Sequence, residues 1–157
     1  MFKKDSGFTL IELLVVIGIL GILLAIVLIA INPARQFAQA NNTARRSDVT
    51  TLLNAIHQYS ADNKGKLPAG IPVGVYPAGA GLIRGTGGVD ICALISPTYV
   101  ASLPADPSLT TGAVTDCTDA TYNTGYAVVQ DTAGRVTVGA PSAEAIGGAA
   151  TVISVTR

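Results

Sequence analysis

The most regular feature of the hydrophobic pattern is an uninterrupted apolar run near the start of the chain. From Leu13 to Ile31 no polar side chain occurs, and Glu12 is the only charged residue between Phe8 and Ile31. A run of this length is typical of a helix that crosses a membrane and is too long for an ordinary core helix. One carboxylate at the start of such a helix is costly unless it has a partner. The pattern therefore predicts a transmembrane helix over residues 8–31 with one acid that needs an explanation.

A second helical pattern begins at Ala34. Its apolar residues recur at helical spacing on one stripe, namely Val49, Leu52, Leu53, Ile56 and Tyr59. Arg45 and Arg46 are among the polar residues predicted to lie off that stripe, on a solvated or intersubunit face. Pro33 predicts a kink or local unwinding where the two helical patterns meet. The second pattern should end near residues 62–65, where Asn and Gly are stop signals.

The remainder of the chain has short runs typical of strands and turns. Residues 67–88 are rich in Gly, Pro and Ala and are predicted to form a loop. A short helix is expected to start after Asp90 as its N-cap and to end at Ser96-Pro97. Strands are predicted over residues 125–130, 134–139 and 150–156, the first two joined as a hairpin. Antiparallel strands packed on an amphipathic helix define an α+β fold.

Composition narrows the classes of function. The 157 residues hold 10 basic and 10 acidic side chains, so no strong attraction to nucleic acid is expected. Only 13% of residues are charged, which suits a protein that packs against copies of itself. The single histidine, His57, has no nucleophile or acid in a triad context and is predicted to be a surface or helix–sheet residue. The chain is therefore not expected to be an enzyme.

A short basic leader is followed by Gly7-Phe8-Thr9-Leu10-Ile11-Glu12 and then by the apolar helix. This arrangement resembles the N-terminal signal of bacterial type IV prepilins and pseudopilins. A second, weaker match is the segment from Tyr99 to Leu103-Pro104-Ala105-Asp106-Pro107. The resemblance implies that prepilin peptidase cuts between Gly7 and Phe8 and that the new amino group of Phe8 is methylated. It also implies that Glu12 neutralises the amino terminus of a neighbouring subunit during filament assembly.

Four segments follow from this reading: a leader (1–7), a transmembrane helix half (8–31), an amphipathic helix half (32–63) and a globular domain with an antiparallel sheet (64–157). The implied partners are copies of the chain and related pilins, the prepilin peptidase, a membrane assembly platform and, before assembly, inner-membrane lipid. The chain would cross the cytoplasmic membrane once, with a cytoplasmic N-terminus, and then join a filament at the cell surface. Whether it is a major or a minor pilin or pseudopilin, in a pilus, a secretion system or a DNA-uptake system, stays open.

Two alternatives concern the N-terminal region. Thr9 and Glu12 have the spacing of a capping box, so Glu12 could serve the first helical turn instead of a neighbouring subunit. Ala38-Gln39-Ala40 matches the small-residue pattern of an ordinary secretory signal, and a cut after Ala40 would release a soluble protein. Against the second alternative, the apolar run is longer than the apolar region of an ordinary secretory signal, and Glu12 interrupts its start.

The predicted exported part holds the remaining candidate chemistry. An even pair of cysteines in such a domain, Cys92 and Cys117, predicts a structural disulfide, with a reactive pair or metal ligands as the alternatives. No cofactor is expected. Calcium stays open because some pseudopilins hold one in a C-terminal loop, and the candidate ligands are Asp116, Asp119 and Asp131.

Overall fold

The structure is a computed structural model that describes residues 7–157. Of the predicted leader, only Gly7 falls among the described residues; residues 1–6 lie outside them. The chain divides into two compact units, one ending at Phe37 and the other running from Ala38 to Arg157. The second unit thus includes most of the amphipathic helix together with the sheet.

The first unit contains helix α1, Leu10–Ile31, and the start of helix α2, Pro33–Asp62. Between them Asn32 adopts a left-handed conformation with φ 44°, which ends α1. Pro33 then opens α2, where its missing N–H costs little because the first amides of a helix have no partner within it. The side chain of Asn32 accepts a hydrogen bond from the backbone of Arg35 at 3.3 Å. The interruption therefore falls at the Asn32-Pro33 step that the sequence indicated.

The second unit is built on a four-stranded antiparallel sheet in the order β1-β2-β3-β4. The strands are Gly81–Arg84, Asn123–Gln130, Val136–Ala140 and Ile153–Thr156. Helix α3, Cys92–Ile95, lies between β1 and β2 along the chain. The hairpin of β2 and β3 and the last strand were predicted, with bounds within three residues of those observed.

One core joins α2 to one face of the sheet. The apolar stripe of α2 is buried except for Tyr59, which is half-buried. It packs with side chains from all four strands: Ile83, Tyr126, Val128, Val136, Val138 and Ile153. Each strand contributes alternate residues to this face because successive side chains point to opposite sides of a sheet. The predicted α+β class is confirmed.

Two local predictions were wrong. Strand β1 lies inside the segment predicted to be a loop. Its pairing with β2 is irregular between Leu82 and Arg84, so its residues do not show the alternation of apolar and polar side chains that is typical of a strand. Asp90 is not an N-cap, since the N-cap of α3 is Ile91 and no side chain bonds its first turn. The carboxylate of Asp90 instead accepts a hydrogen bond from the Tyr122 hydroxyl at 2.8 Å. The hydroxyl of a buried tyrosine must find an acceptor inside the protein, and the Asp90 carboxylate serves it instead of capping the four-residue helix.

Candidate functional site

The N-terminal end of α1 carries the residues that the sequence predicted to be functional. Thr9 is the N-cap, and its side-chain oxygen accepts the amide of Glu12 at 3.3 Å. In return, Oε2 of Glu12 accepts the backbone N–H of Thr9 at 2.8 Å and its hydroxyl at 2.7 Å. This reciprocal arrangement is a capping box, so the capping alternative describes the lone chain correctly.

Only one of the two carboxylate oxygens of Glu12 takes part in this cap. Both of its hydrogen bonds end on Oε2, and within residues 7–157 no donor contacts Oε1. An ionised carboxylate accepts through both oxygens, so capping leaves one oxygen able to accept from another molecule. Capping and pairing with a neighbour are therefore compatible in one geometry.

The two residues at the predicted cleavage site are exposed. A side chain built at Gly7 would meet nothing within 4 Å. Phe8 is 85% exposed, although it is a large aromatic side chain. The predicted cleavage point is therefore accessible in the lone chain.

Helix α1 buries none of its residues within the described chain. It is the one helix of the described part that is long and apolar enough to cross a membrane. An apolar surface of this size on an otherwise folded protein marks a lipid or protein contact. The apolar surface of α1 fits a membrane-anchored protein.

A second polar cluster, the Arg45 cluster, lies where α2 meets two loops. Its members are the buried Asn42, Arg45 and Asp106 and the half-buried Asn41 and Glu144. Arg45 is 1% exposed and donates to both oxygens of Asp106, Nε to Oδ2 at 2.8 Å and Nη2 to Oδ1 at 2.9 Å. Its Nη1 donates to the Asn42 side chain at 2.9 Å and to Glu144 at 3.1 Å. The prediction that Arg45 lies on a solvated face was wrong; Arg46 alone is exposed, so the two arginines form no joint basic surface.

The buried carboxylate of Asp106 is stabilised in its charged form. Burial alone would raise its pKa, but hydrogen bonds from Arg45 and Ser108 outweigh burial and leave the pKa below its ordinary value. Asn42 exchanges two hydrogen bonds with the backbone of Glu144, at 2.8 Å and 3.0 Å. The cluster thus fastens the loops around residues 106 and 144 to α2.

The predicted disulfide is present. Cys92 and Cys117 are bonded, with their Cα atoms 5.3 Å apart. The bond ties the loop before β2 to α3, and Cys92 is completely buried in the main core. No reactive thiol is left in the chain, because these are its two cysteines.

The three candidate calcium ligands fall in two places. Asp116 and Asp119 line one cavity of about 280 Å³, whereas Asp131 lies in the β2–β3 turn and pairs with Arg135 at 2.7 Å. Hydrogen bonds from Thr118 lower the pKa of Asp116, and those from Thr121 lower the pKa of Asp119. In residues 7–157 no three metal-ligating side chains converge. Calcium at Asp116 and Asp119 stays an open alternative to the expectation of no cofactor, and Asp131 lies apart from both.

His57 lies at the contact of α2 with the sheet. It is half-buried and shares a cavity with Lys66, Gln130 and Gly134. Its Nε2 is buried and has no hydrogen-bond partner among the described residues. No nucleophile or carboxylate lines this cavity in a catalytic arrangement, so His57 belongs to the helix–sheet contact.

The membrane-length helix followed by a small α+β unit is a pilin-like architecture. Comparison with known families shows that residues 2–28 match the prokaryotic N-terminal methylation motif. Over 61 residues the chain is 39% identical to type II secretion system core protein G of Pseudomonas aeruginosa. The aligned part covers 39% of this chain and 42% of that protein, so the match spans about two fifths of the relative's length. No solved structure matches. These similarities confirm the resemblance to type IV pilins and pseudopilins.

Proposed function

We propose that the chain is a structural subunit of a pilus or pseudopilus filament that polymerises through α1 and catalyses no reaction. The proposal is supported by the methylation motif over residues 2–28 and by the unburied apolar surface of α1. The observation that carries it is the half-used carboxylate of Glu12, which is capped by Thr9 through one oxygen and open through the other.

Processing is the first step of the proposed function. Prepilin peptidase cuts between Gly7 and Phe8, and the new amino group of Phe8 is methylated. The alternative cut after Ala40 would fall inside α2, which runs unbroken from Pro33 to Asp62. N-terminal sequencing of the exported protein separates the two: a methylated Phe8 supports processing as a prepilin, and a start at Asn41 refutes it.

Assembly follows from the chemistry that processing creates. The freed amine of Phe8 is protonated at neutral pH, since an α-amino group has a pKa of about 8. When apolar helices pack together and exclude water, a carboxylate persists only with a partner. The ammonium of a neighbouring Phe8 donates to Oε1 of Glu12 and supplies that partner. The apolar side chains of α1 meanwhile exchange lipid for contact with neighbouring subunits.

Substitutions at two positions separate pairing from capping. Glu12→Gln keeps an acceptor for the capping box, because Gln also serves there, but removes the charge. Thr9→Val removes the capping hydroxyl and keeps the charge. We expect both Glu12→Gln and Glu12→Ala to insert and be cleaved normally and yet to lose most filaments, while Thr9→Val still assembles. Normal filament yield from Glu12→Gln would refute the pairing role.

The similarity to core protein G favours a secretion pseudopilus over a surface pilus or a DNA-uptake system. In this setting the chain crosses the cytoplasmic membrane once, with its N-terminus in the cytoplasm, until a membrane assembly platform adds it to the filament. Deleting the gene in its host and measuring protein secretion and DNA uptake side by side tests this choice. Loss of secretion with unchanged DNA uptake is the expected result; the reverse would assign the chain to DNA uptake.

A further inference from the structure

Among residues 7–157 nothing pairs with the outer side of strand β4, which forms an edge of the sheet. It pairs with β3 on one side only, from Thr137 opposite Thr156 to Ala140 opposite Ile153. Ser154 and Thr156 are exposed, and the adjoining Val152 is 75% exposed. An apolar β-branched residue left in water beside an edge strand is unusual for a protein whose edge stays unpaired.

Part of the backbone of β4 points away from β3. Val136 and Arg157 exchange two hydrogen bonds, so they form a hydrogen-bonded pair at the end of the β3–β4 ladder. Hydrogen-bonded and non-hydrogen-bonded pairs alternate along an antiparallel ladder. The backbone N–H and C=O of Val155 and Ile153 therefore point to β3, and those of Ser154 and Thr156 point outward. Within residues 7–157 none of these outward groups has a hydrogen-bond partner.

The opposite edge of the sheet is covered. The carbonyl of Leu82 in β1 accepts the amide of Val89 at 2.8 Å, and Ile83 forms a parallel bridge with Val89. The chain from Gly85 to Val89 therefore lies along β1, where the ladder is also irregular. Strand β4 has none of these protections: its register is regular and it contains no Pro, Lys or bulge.

We propose that the free edge of β4 pairs antiparallel with β4 of a second copy of this chain. Centred on Ser154, this pairing sets Val152 opposite Thr156 of the second copy and Ile153 opposite its Val155. The strand carries no charge before Arg157, so no like charges face each other. With two hydrogen bonds at each outward-facing pair, the contact forms about six backbone hydrogen bonds.

A second copy is the occupant that the sheet favours. Each copy offers one free edge and one covered edge, so pairing free edges uses both and closes as a twofold dimer with no edge left over. Such a twofold contact differs from the repeating head-to-tail contact of a polar filament. It therefore joins copies outside one filament, either before assembly or between filaments, and it does not depend on Glu12.

Cross-linking of single cysteines tests the register in membranes that carry the full chain. In the proposed pairing the two Ser154 Cα atoms lie about 5.5 Å apart, whereas residues 152 of the two copies are separated by about 13 Å of strand. We expect Ser154→Cys to form a dimer with a short thiol cross-linker at least tenfold more than Val152→Cys or Thr156→Cys alone. Two differently tagged copies, one with Val152→Cys and one with Thr156→Cys, should cross-link to each other. The dimer should persist when Glu12→Ala is added.

The same experiment can overturn the proposal. Equal cross-linking at positions 152, 154 and 156 would indicate random collision, and a band at another mass would show that a different protein occupies the edge. Absence of any band, or its loss with Glu12→Ala, would also contradict an assembly-independent dimer.

Ser154→Pro supplies a matched test of the backbone contact. The N–H of Ser154 points away from β3, so proline there removes an outward donor without breaking the β3–β4 ladder. It should reduce the cross-link between Val152→Cys and Thr156→Cys copies to background while the chain keeps its protease resistance. An undiminished cross-link in that variant would refute edge pairing.

Discussion

The Arg45 cluster gives the sharpest prediction about the stability of the second unit. Arg45→Met keeps a long apolar stem but removes a guanidinium that makes four hydrogen bonds, two of them to Asp106. Asp106 is 1% exposed and would stay buried without its cation. Its remaining partners are the amide and hydroxyl of Ser108, which do not neutralise a charge.

The expected cost follows from the geometry of the pair. Breaking a buried ion pair by removing one partner typically costs about 3–5 kcal/mol, since the other charge is left uncompensated. For a unit of this size that corresponds to a fall in Tm of roughly 10–20 °C. Removing both charges is milder, because a buried pair gains little over apolar residues of similar volume. The double variant Arg45→Met with Asp106→Leu should recover about 2 kcal/mol of the loss.

Urea unfolding of the full chain in mild detergent measures these values. The near-ultraviolet signal comes from five tyrosines, of which Tyr126 is fully buried beside the cluster, and there is no tryptophan to obscure it. Arg46→Met is the matched control, because Arg46 is the adjacent exposed residue, and it should change stability by less than about 0.5 kcal/mol. A cost below about 1 kcal/mol for Arg45→Met, or a double variant less stable than the single one, would refute the reasoning.

The pH dependence provides a second check on the same pair. The pKa of Asp106 is lower in the folded chain than its ordinary value of 3.8, because the bonds from Arg45 and Ser108 outweigh the opposing effect of burial. The resulting stability is complete above that ordinary value and is lost as the pH falls through the lower, folded pKa. The double variant, which lacks this carboxyl, should lose less stability than the wild type between pH 4 and pH 2.

Three further predictions concern other parts of the chain. Replacing Cys92 and Cys117 by Ser should cost about 3.5 kcal/mol for a loop of 25 residues, measured by urea unfolding; unchanged stability would show that the disulfide does not restrain the unfolded chain. Tyr126→Phe removes a 2.6 Å hydrogen bond to Asp48 and should cost about 1.5–3 kcal/mol, again by unfolding, with no loss of the fold. Gly7→Val should block leader removal, seen as a larger band on a denaturing gel, while membrane insertion is retained.

The sequence predicted best what local patterns decide. The apolar run, the capping pair of Thr9 and Glu12 and the Asn32-Pro33 interruption each depend on residues within a few positions of one another. Most of the α2 core was also predicted, since helical spacing alone selects residues such as Val49 and Leu52, but Ala55 was missed. The hairpin of β2 and β3 was predicted because both strands are regular and joined by a short turn.

Strand β1 was missed because its strand character comes from its neighbours. It has four residues, its pairing with β2 is irregular, and a chain segment after it covers its outer edge. Such a strand shows no alternation over a useful length, so the many glycines and prolines around it dominate the pattern. Only the position of β2 makes Gly81–Arg84 a strand.

The burial of Arg45 was missed for a related reason, although the sequence held a signal for it. Asp106 lies between Pro104 and Pro107, in the segment that was interpreted only as a second, weaker match to type IV pilins and pseudopilins. Two prolines restrict the backbone on both sides of Asp106 and so hold its carboxylate in a fixed place. A carboxylate in water would not need that restraint. An acid held in a fixed place can stay buried and charged when a cation is held against it. The choice of its partner among ten basic residues depends on how α2 docks on the sheet, which only the folded chain determines.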